Sequence, residues 1–364
     1  MSEVPGRPAP ASRSKARTPL IAASLAAMLS GASTVIADEV MIGWQELEIT
    51  GDAGEPALDV ALWYPTSDPG PIVAVGDNPV FVGVEVVPEA EPLGEGLPLV
   101  VLSHGFGGHR GNLAWLAGAL AAAGHVVAAL DHPGTTTRDM RPGEPVVLAR
   151  RSADVGRVID RLVVDRPGLV DAERIAVIGH SLGAWTAVQL AGARFSIGRA
   201  LADCRERPEL AACEVLAWAG GSDVRGATPI LDDERRDGRV AAVVALDIGM
   251  ARGFSAASLE AVEIPVLVVA AGAPNPRIPA SLESGHLLAH LPAATTISLE
   301  LADAGHFSFM PLCKEDAVEL LAGEEPGDEI VCLDPGGAER RALHDAAVEA
   351  TLGFLESVWP GHLP

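Results

Sequence analysis

Apolar and polar positions follow two different patterns along the chain. Residues 43–50 and 57–65 carry short β patterns separated by "GDAGEP", whose Gly and Pro mark a turn, which predicts an antiparallel pair. Residues 66–96, dense in Pro, Gly, Asp and Glu, predict a surface excursion around a short apolar piece at 79–87. From 97 onward the runs become continuously apolar: "LPLVVLSHG" (97–105), "HVVAALDHPG" (125–134), "RIAVIGHS" (174–181), "VAAVVALDIG" (240–249) and "IPVLVVAAG" (264–272), with "TTISLEL" (295–301) last. Stretches of helical composition lie between and after them, at 112–124, about 148–164, 182–192, 279–291 and roughly 337–358.

Strands that are apolar along their whole length and alternate with helices belong to a parallel sheet covered on both faces. The fold class is therefore α/β, with a mostly parallel central sheet flanked by helices. Residues 195–238 break the alternation with several charges, two cysteines and "WAGGSD", and predict an insertion over the active edge of the sheet, with a lid as its functional reading. No internal repeat interrupts the pattern, so residues 38–364 read as one domain.

Charge narrows the partners. The chain has 364 residues, with 49 acidic against 26 basic side chains and a formal charge of -23, which repels phosphate backbones and anionic headgroups and excludes nucleic acid. Residues 1–37 have the order of a secretory signal peptide: basic groups up to Arg17, an Ala- and Ser-rich apolar run, then Val35-Ile36-Ala37 as a cleavage site. That run is too weakly hydrophobic to hold a bilayer, so the expectation is an exported protein, periplasmic or secreted, with no stable membrane span after cleavage. An even count of four cysteines in an exported chain suggests two disulfides, and proximity favours Cys204 with Cys213 and Cys313 with Cys332. The alternative, a zinc site, lacks any C-x-x-C or neighbouring His at ligand spacing.

The candidate chemistry centres on Gly179-His180-Ser181-Leu182-Gly183, which matches G-x-S-x-G between a predicted strand and a predicted helix. In that setting the central residue takes a strained backbone and exposes its side chain, and small flanking residues relieve the clash. Ser181 is the candidate nucleophile. A serine hydroxyl needs a base, and of the histidines only His306, in "ADAGHFSFMP", combines a later chain position with a loop after a strand. The Gly-rich turn "SHGFGGHRGN" after the 97–103 strand can aim backbone amides at an oxyanion, so the N-H groups of Phe106 and Leu182 are the candidate donors. A phosphate loop is the competing reading of that turn, but it lacks a Lys-Ser/Thr ending and the G-x-G-x-x-G spacing.

The order HGF, "DHPGT", GHSLGA, "ALD" and "AGHFSF" resembles the α/β-hydrolase superfamily, in particular its platelet-activating factor acetylhydrolase-like and bacterial dienelactone hydrolase-like branch, over roughly residues 57–310. The resemblance implies the α/β-hydrolase fold, Ser181 as nucleophile and His306 as base. It also bears on the triad acid. Many α/β hydrolases carry the acid after the strand that corresponds to 265–271, where this chain has only Asn275. In the acetylhydrolase-like branch it follows the preceding strand, and "VVALDIGM" puts Asp247 there. Asp303 is the rival by proximity to His306, although three residues within one loop make poor geometry, and Asp131 reads as a structural anchor of its turn.

Dienelactone hydrolases proper use Cys as nucleophile, so lactone specificity does not carry over. Trp185 has two readings, a wall of the acyl pocket or a ring of the helix core, and Trp218 either faces substrate or covers the core. The function expected is a serine carboxylic-ester hydrolase acting through an acyl-enzyme on short-chain or phospholipid-like small-molecule or lipid esters, needing no cofactor or metal. An amidase or peptidase on the same triad and a silent binding protein on a hydrolase scaffold are the alternatives.

Overall fold

The structure is a computed structural model, and it describes residues 40–51, 54–220 and 231–361. The expected signal segment, 1–37, lies outside the described residues. The chain opens with β1 (Met41–Ile49) and β2 (Leu58–Thr66), paired antiparallel over nine residues as the alternating pattern predicts. The following excursion is more ordered than its composition suggests. It contains β3 (Val73–Val75) and β4 (Val84–Pro88), and β4 buries Val86 and Val87 while pairing parallel with β1.

The central alternation then runs through β5 (Leu97–Ser103), α1 (Ala114–Ala122), β6 (Val126–Leu130), a small ribbon of β7 (Thr135–Thr136) and β8 (Asp139–Met140), α2 (Val146–Asp165), β9 (Val170–His180) and α3 (Leu182–Leu190). The insertion follows as α4 (Ile197–Glu206) and α5 (Ala211–Trp218), joined by the Cys204–Cys213 disulfide. Residues 221–230 of it lie outside the described residues. Then come β10 (Val240–Leu246), α6 (Ala256–Glu260), β11 (Val266–Ala271), α7 (Ser284–His290), β12 (Thr296–Leu301), α8 (Ala317–Glu324) and α9 (Arg340–Val358).

Among the described residues the strands form one ten-stranded sheet in the order β12-β11-β10-β9-β5-β6-β2-β1-β4-β3. The six from β12 to β6 are all parallel. Their unbroken apolar runs are explained by burial on both faces. Leu99 and Val101 of β5 and Ile175 and Val177 of β9 enter one core with α2 and α3, while Val100, Leu102, Ala176 and Ile178 enter the other with α1 and α9.

Chain order decides where a site can form. After β5 the chain moves outward to β6, then returns to lay β9 on the other side of β5. That reversal opens a crevice at the carboxyl ends of β5 and β9, the place where open α/β sheets bind ligands. The Gly-rich turn and the G-x-S-x-G turn are the two segments that leave these strand ends.

Both disulfides, Cys204–Cys213 and Cys313–Cys332, join the cysteines that proximity paired, so no thiol is left for zinc. Among the described residues no helix is long and apolar enough to cross a membrane.

Candidate active site

Ser181 sits in the one-residue step between β9 and α3 with φ 56° and ψ -116°, a conformation costly for any residue with a Cβ. Its neighbours explain how the strain is tolerated. A Cβ on Gly179 would fall 2.1 Å from the Gly183 carbonyl carbon, and one on Gly183 would fall 1.9 Å from the Ser103 carbonyl oxygen. Both glycines are therefore required by the close approach of strand and helix, and the Ser181 N-H is tied to the Leu246 carbonyl at 3.0 Å.

Two distant segments meet this turn. His306 Nε2 lies 3.0 Å from Ser181 Oγ, and His306 Nδ1 lies 2.6 Å from Asp247 Oδ2. Asp247 leaves the end of β10 at φ 39° and is 2% exposed; its second oxygen accepts the Ala271 N-H at 3.0 Å. With Nδ1–H donated to the carboxylate, Nε2 is the basic nitrogen and faces the serine hydroxyl. The arrangement can take the proton of Ser181 and hold the resulting imidazolium against a buried anion.

Asn275 and the rival acids Asp303 and Asp131 are placed elsewhere. Asn275 Oδ1 accepts the N-H groups of Arg277 and Ile278 and so caps its own loop. Asp303 is exposed and makes no bond to His306. Asp131 accepts both the main-chain N-H and Nη1 of Arg110, which pins the turn after β5.

Phe106 and Leu182 share one cleft with Ser181, closed by Ala211, Ala212 and Val215 of α5 with Gly249, Met250, Ile278 and Glu283. Neither the Phe106 nor the Leu182 N-H finds an acceptor among the described residues, as donors awaiting an oxyanion would not. The cleft is small, about 30 Å³. Two larger clefts, of about 360 and 250 Å³, lie along Trp44, Trp63, His109 and Trp115 and touch none of Ser181, Asp247 or His306.

A family model described as serine aminopeptidase, S33, matches residues 95–201, from just before β5 into α4. The ferulic acid esterase from Streptomyces cinnamoneus, known at 2.4 Å, superposes with a TM-score of 0.60 at 24% identity, over 90% of this chain and 92% of its own. The chain is an α/β hydrolase by fold. No curated protein sequence matches it.

In this α/β hydrolase the histidine loop is clamped from several sides. His180 Nε2 donates to the His306 carbonyl at 2.9 Å, and burial keeps the His180 ring neutral by pulling its pKa well down. Ser308 Oγ accepts the Gly305 N-H and donates to Asp334, which Arg340 also holds. Trp115 stacks on His344 at 3.8 Å and donates Nε1–H to the Phe309 carbonyl, and the Cys313–Cys332 disulfide closes the segment beyond.

The acyl-pocket reading of Trp185 is corrected. The side chain is 0% exposed, packs edge-on against Phe195 and lies outside the Ser181 cleft, because it points from α3 into the core on that helix's face of the sheet. Trp218 covers Phe106, edge-on at 4.8 Å. Sequence reading missed Glu283, whose carboxyl lines the cleft at 2% exposure and accepts the Ala251 N-H at 2.6 Å. No periodic signal marks it, since the helix it precedes is only seven residues long. Arg151 and Asp154 were also missed, although two charges three apart among the buried positions of α2, between Leu148 and Val155, are a readable anomaly.

Proposed function

We propose that this α/β hydrolase is a serine carboxylic-ester hydrolase that works through an acyl-enzyme. The observation that carries this is the bonded series from Ser181 Oγ through His306 to Asp247 Oδ2, at 3.0 and 2.6 Å, placed beside two free backbone N-H groups. Ser181 attacks the ester carbonyl while His306 Nε2 takes its proton. The Phe106 and Leu182 amides hold the tetrahedral oxygen. His306 then protonates the departing alcohol, and a water activated in the same way releases the acid. Asp247 keeps the imidazole oriented and stabilises its charged form. Asp247, rather than a residue after β11, as triad acid supports the acetylhydrolase-like branch.

The cleft supports a short acyl group. Beside Ser181 its lining is apolar, with Phe106, Val215, Met250 and Ile278 converging on the nucleophile. The two disulfides support export to an oxidising compartment.

The test is Ser181→Ala in a p-nitrophenyl acetate assay, paired with fluorophosphonate labelling of the unmodified protein. Loss of turnover with an unaltered melting curve, and a label on Ser181, support the reading. A folded variant with full turnover removes Ser181 from the mechanism, while acetanilide turnover matching that of esters would favour an amidase. An unlabelled protein would be a binding protein on this scaffold.

A further inference from the structure

Behind the turn that carries Phe106 lies a second chain of polar groups, wholly inside the protein. Arg151 of α2 is 0% exposed. Its Nε donates to Thr186 Oγ1 at 3.0 Å, Nη1 to Thr135 Oγ1 at 2.7 Å, and Nη2 both to Ser103 Oγ at 3.3 Å and to the His104 carbonyl. Every acceptor is a neutral oxygen. Among the described residues no carboxylate lies within ion-pair distance of this guanidinium.

The nearest carboxyl of this network, Asp154, is reached only through neutral groups. A guanidinium can only donate, so Ser103 Oγ accepts from it and gives its own proton to His132 Nε2, 2.9 Å away. That fixes the His132 tautomer, and Nδ1–H donates to Asp154 Oδ2 at 3.0 Å. Burial holds His132 well below its usual pKa, in keeping with a neutral ring. The order Ser103-His132-Asp154 copies the residue types of the active site, yet Ser103 is 0% exposed and can meet no substrate. Isolated buried charge is expensive, and a fold that keeps one this way retains it against a large desolvation cost.

What Arg151 holds is the frame of the oxyanion turn. The His104 carbonyl belongs to the peptide unit next to the one that carries the Phe106 N-H. Thr135, which Nη1 grips, accepts the Gly107 N-H with its carbonyl at 3.0 Å. The same guanidinium thus fastens both segments that clamp residues 104–107. The guanidinium is wholly buried against the His104 carbonyl, one peptide before the Phe106 N-H, where a charge is weakly screened.

We propose that Arg151 is a positioning residue of the active site: its buried guanidinium locks the His104–Gly107 turn and supplies, from behind, a positive field for the oxyanion. This rests on the ester-hydrolase reading of Ser181 and gives α2 a role in the reaction that no substrate contact would reveal. Ser103 and His132 serve it by fixing the guanidinium, and Asp154 orients the His132 ring from its far side.

The experiment compares Arg151→Lys and Arg151→Met with the unmodified enzyme on p-nitrophenyl acetate and measures inhibition by a short-chain trifluoromethyl ketone, whose serine adduct carries the oxyanion. Expected is a fall in kcat of about tenfold or more for Arg151→Met, a smaller fall for Arg151→Lys, KM nearly unchanged, and loss of ketone affinity by the same factor as kcat. A purely structural role would lower the melting temperature and leave kcat and ketone affinity within about threefold of the unmodified enzyme, and that result overturns the proposal. If neither variant folds, Ser103→Ala, which removes one anchor of the guanidinium with little change in volume, carries the test. A several-fold loss in kcat at constant KM supports the proposal, and full kcat overturns it. An unmodified enzyme that fluorophosphonate leaves unlabelled would instead overturn the reading of Ser181 itself.

Discussion

Asp247 and His306 are joined by a 2.6 Å hydrogen bond although they stand 59 residues apart, while Asn275, at the loop after the next strand, bonds only its own turn. Asp247 leaves the end of β10, one strand inward from β11, and His306 follows β12. Replacing Asp247 by Asn preserves shape but removes the charge that stabilises the imidazolium, and kcat should fall by several orders of magnitude, about 10⁴-fold by analogy with triad acids. Asn275→Ala should cost little. Steady-state kinetics of the two variants decide the matter, and the opposite ranking would show that His306 relies on a different acid.

Acyl length should be read at Met250. With Val215, Met250 and Ile278 walling the cleft beside Ser181, p-nitrophenyl acetate and propionate should be turned over faster than octanoate. Met250→Ala removes a wall shared with a second small void, lined by Ala200, Asp203 and Leu216, and should shift the optimum toward longer chains. A chain-length series in kcat/KM measures both, and an octanoate preference in the unmodified enzyme would disprove the short-acyl reading.

Glu283 gives the fold a pH dependence. Burial pushes its carboxyl up to about 7, with Asp247 and Asp203 adding repulsion, against an ordinary value of 4.5. The folded state therefore holds this proton more tightly than the unfolded chain, so its contribution is fully present below pH 4.5 and is lost as pH rises toward 7. Asp154 acts in the same direction, pushed up to about 7 by burial. Glu283→Gln should flatten the fall in melting temperature across this window without abolishing it. Thermal melts at pH 4.5, 6 and 8 provide the measurement, and identical slopes in both proteins would exclude the effect.

The Cys313–Cys332 bridge should matter for stability first and for rate second. Closing a segment whose ends are 19 residues apart removes chain entropy worth about 3 kcal/mol from the unfolded state. Cys313→Ser with Cys332→Ser should lower the melting temperature by several degrees and lower kcat through a looser His306 loop. An unchanged melting curve and an unchanged rate would leave the bridge without either role.

Much of this molecule is legible in the chain because the signals are local. A continuous apolar run has to be buried on both faces, so β5, β6, β9, β10 and β11 could be read as parallel strands. Gly179 and Gly183 mark a turn in which a Cβ on either would collide with backbone, so the strand-turn-helix around Ser181 could be read as well. The cysteines paired by proximity because short segments meet easily. The excursion at 66–96 is more ordered than its composition suggests, since β4 pairs with β1, with Gly43 opposite Val87, and composition carries no trace of that partner.

What only tertiary structure decided are relationships among side chains whose separation in sequence hides them. Trp185 could face a pocket or a core from the same helix, and packing against Phe195 places it in the core. Glu283 enters the cleft because α7 delivers it beside the loop after β10, and Arg151 reaches Ser103 and His104 because α2 crosses beneath the end of β5. Periodicity tells which residues are buried. It carries no information on what a buried charge will meet, because a partner tens of residues away is chosen by the geometry of the assembled sheet.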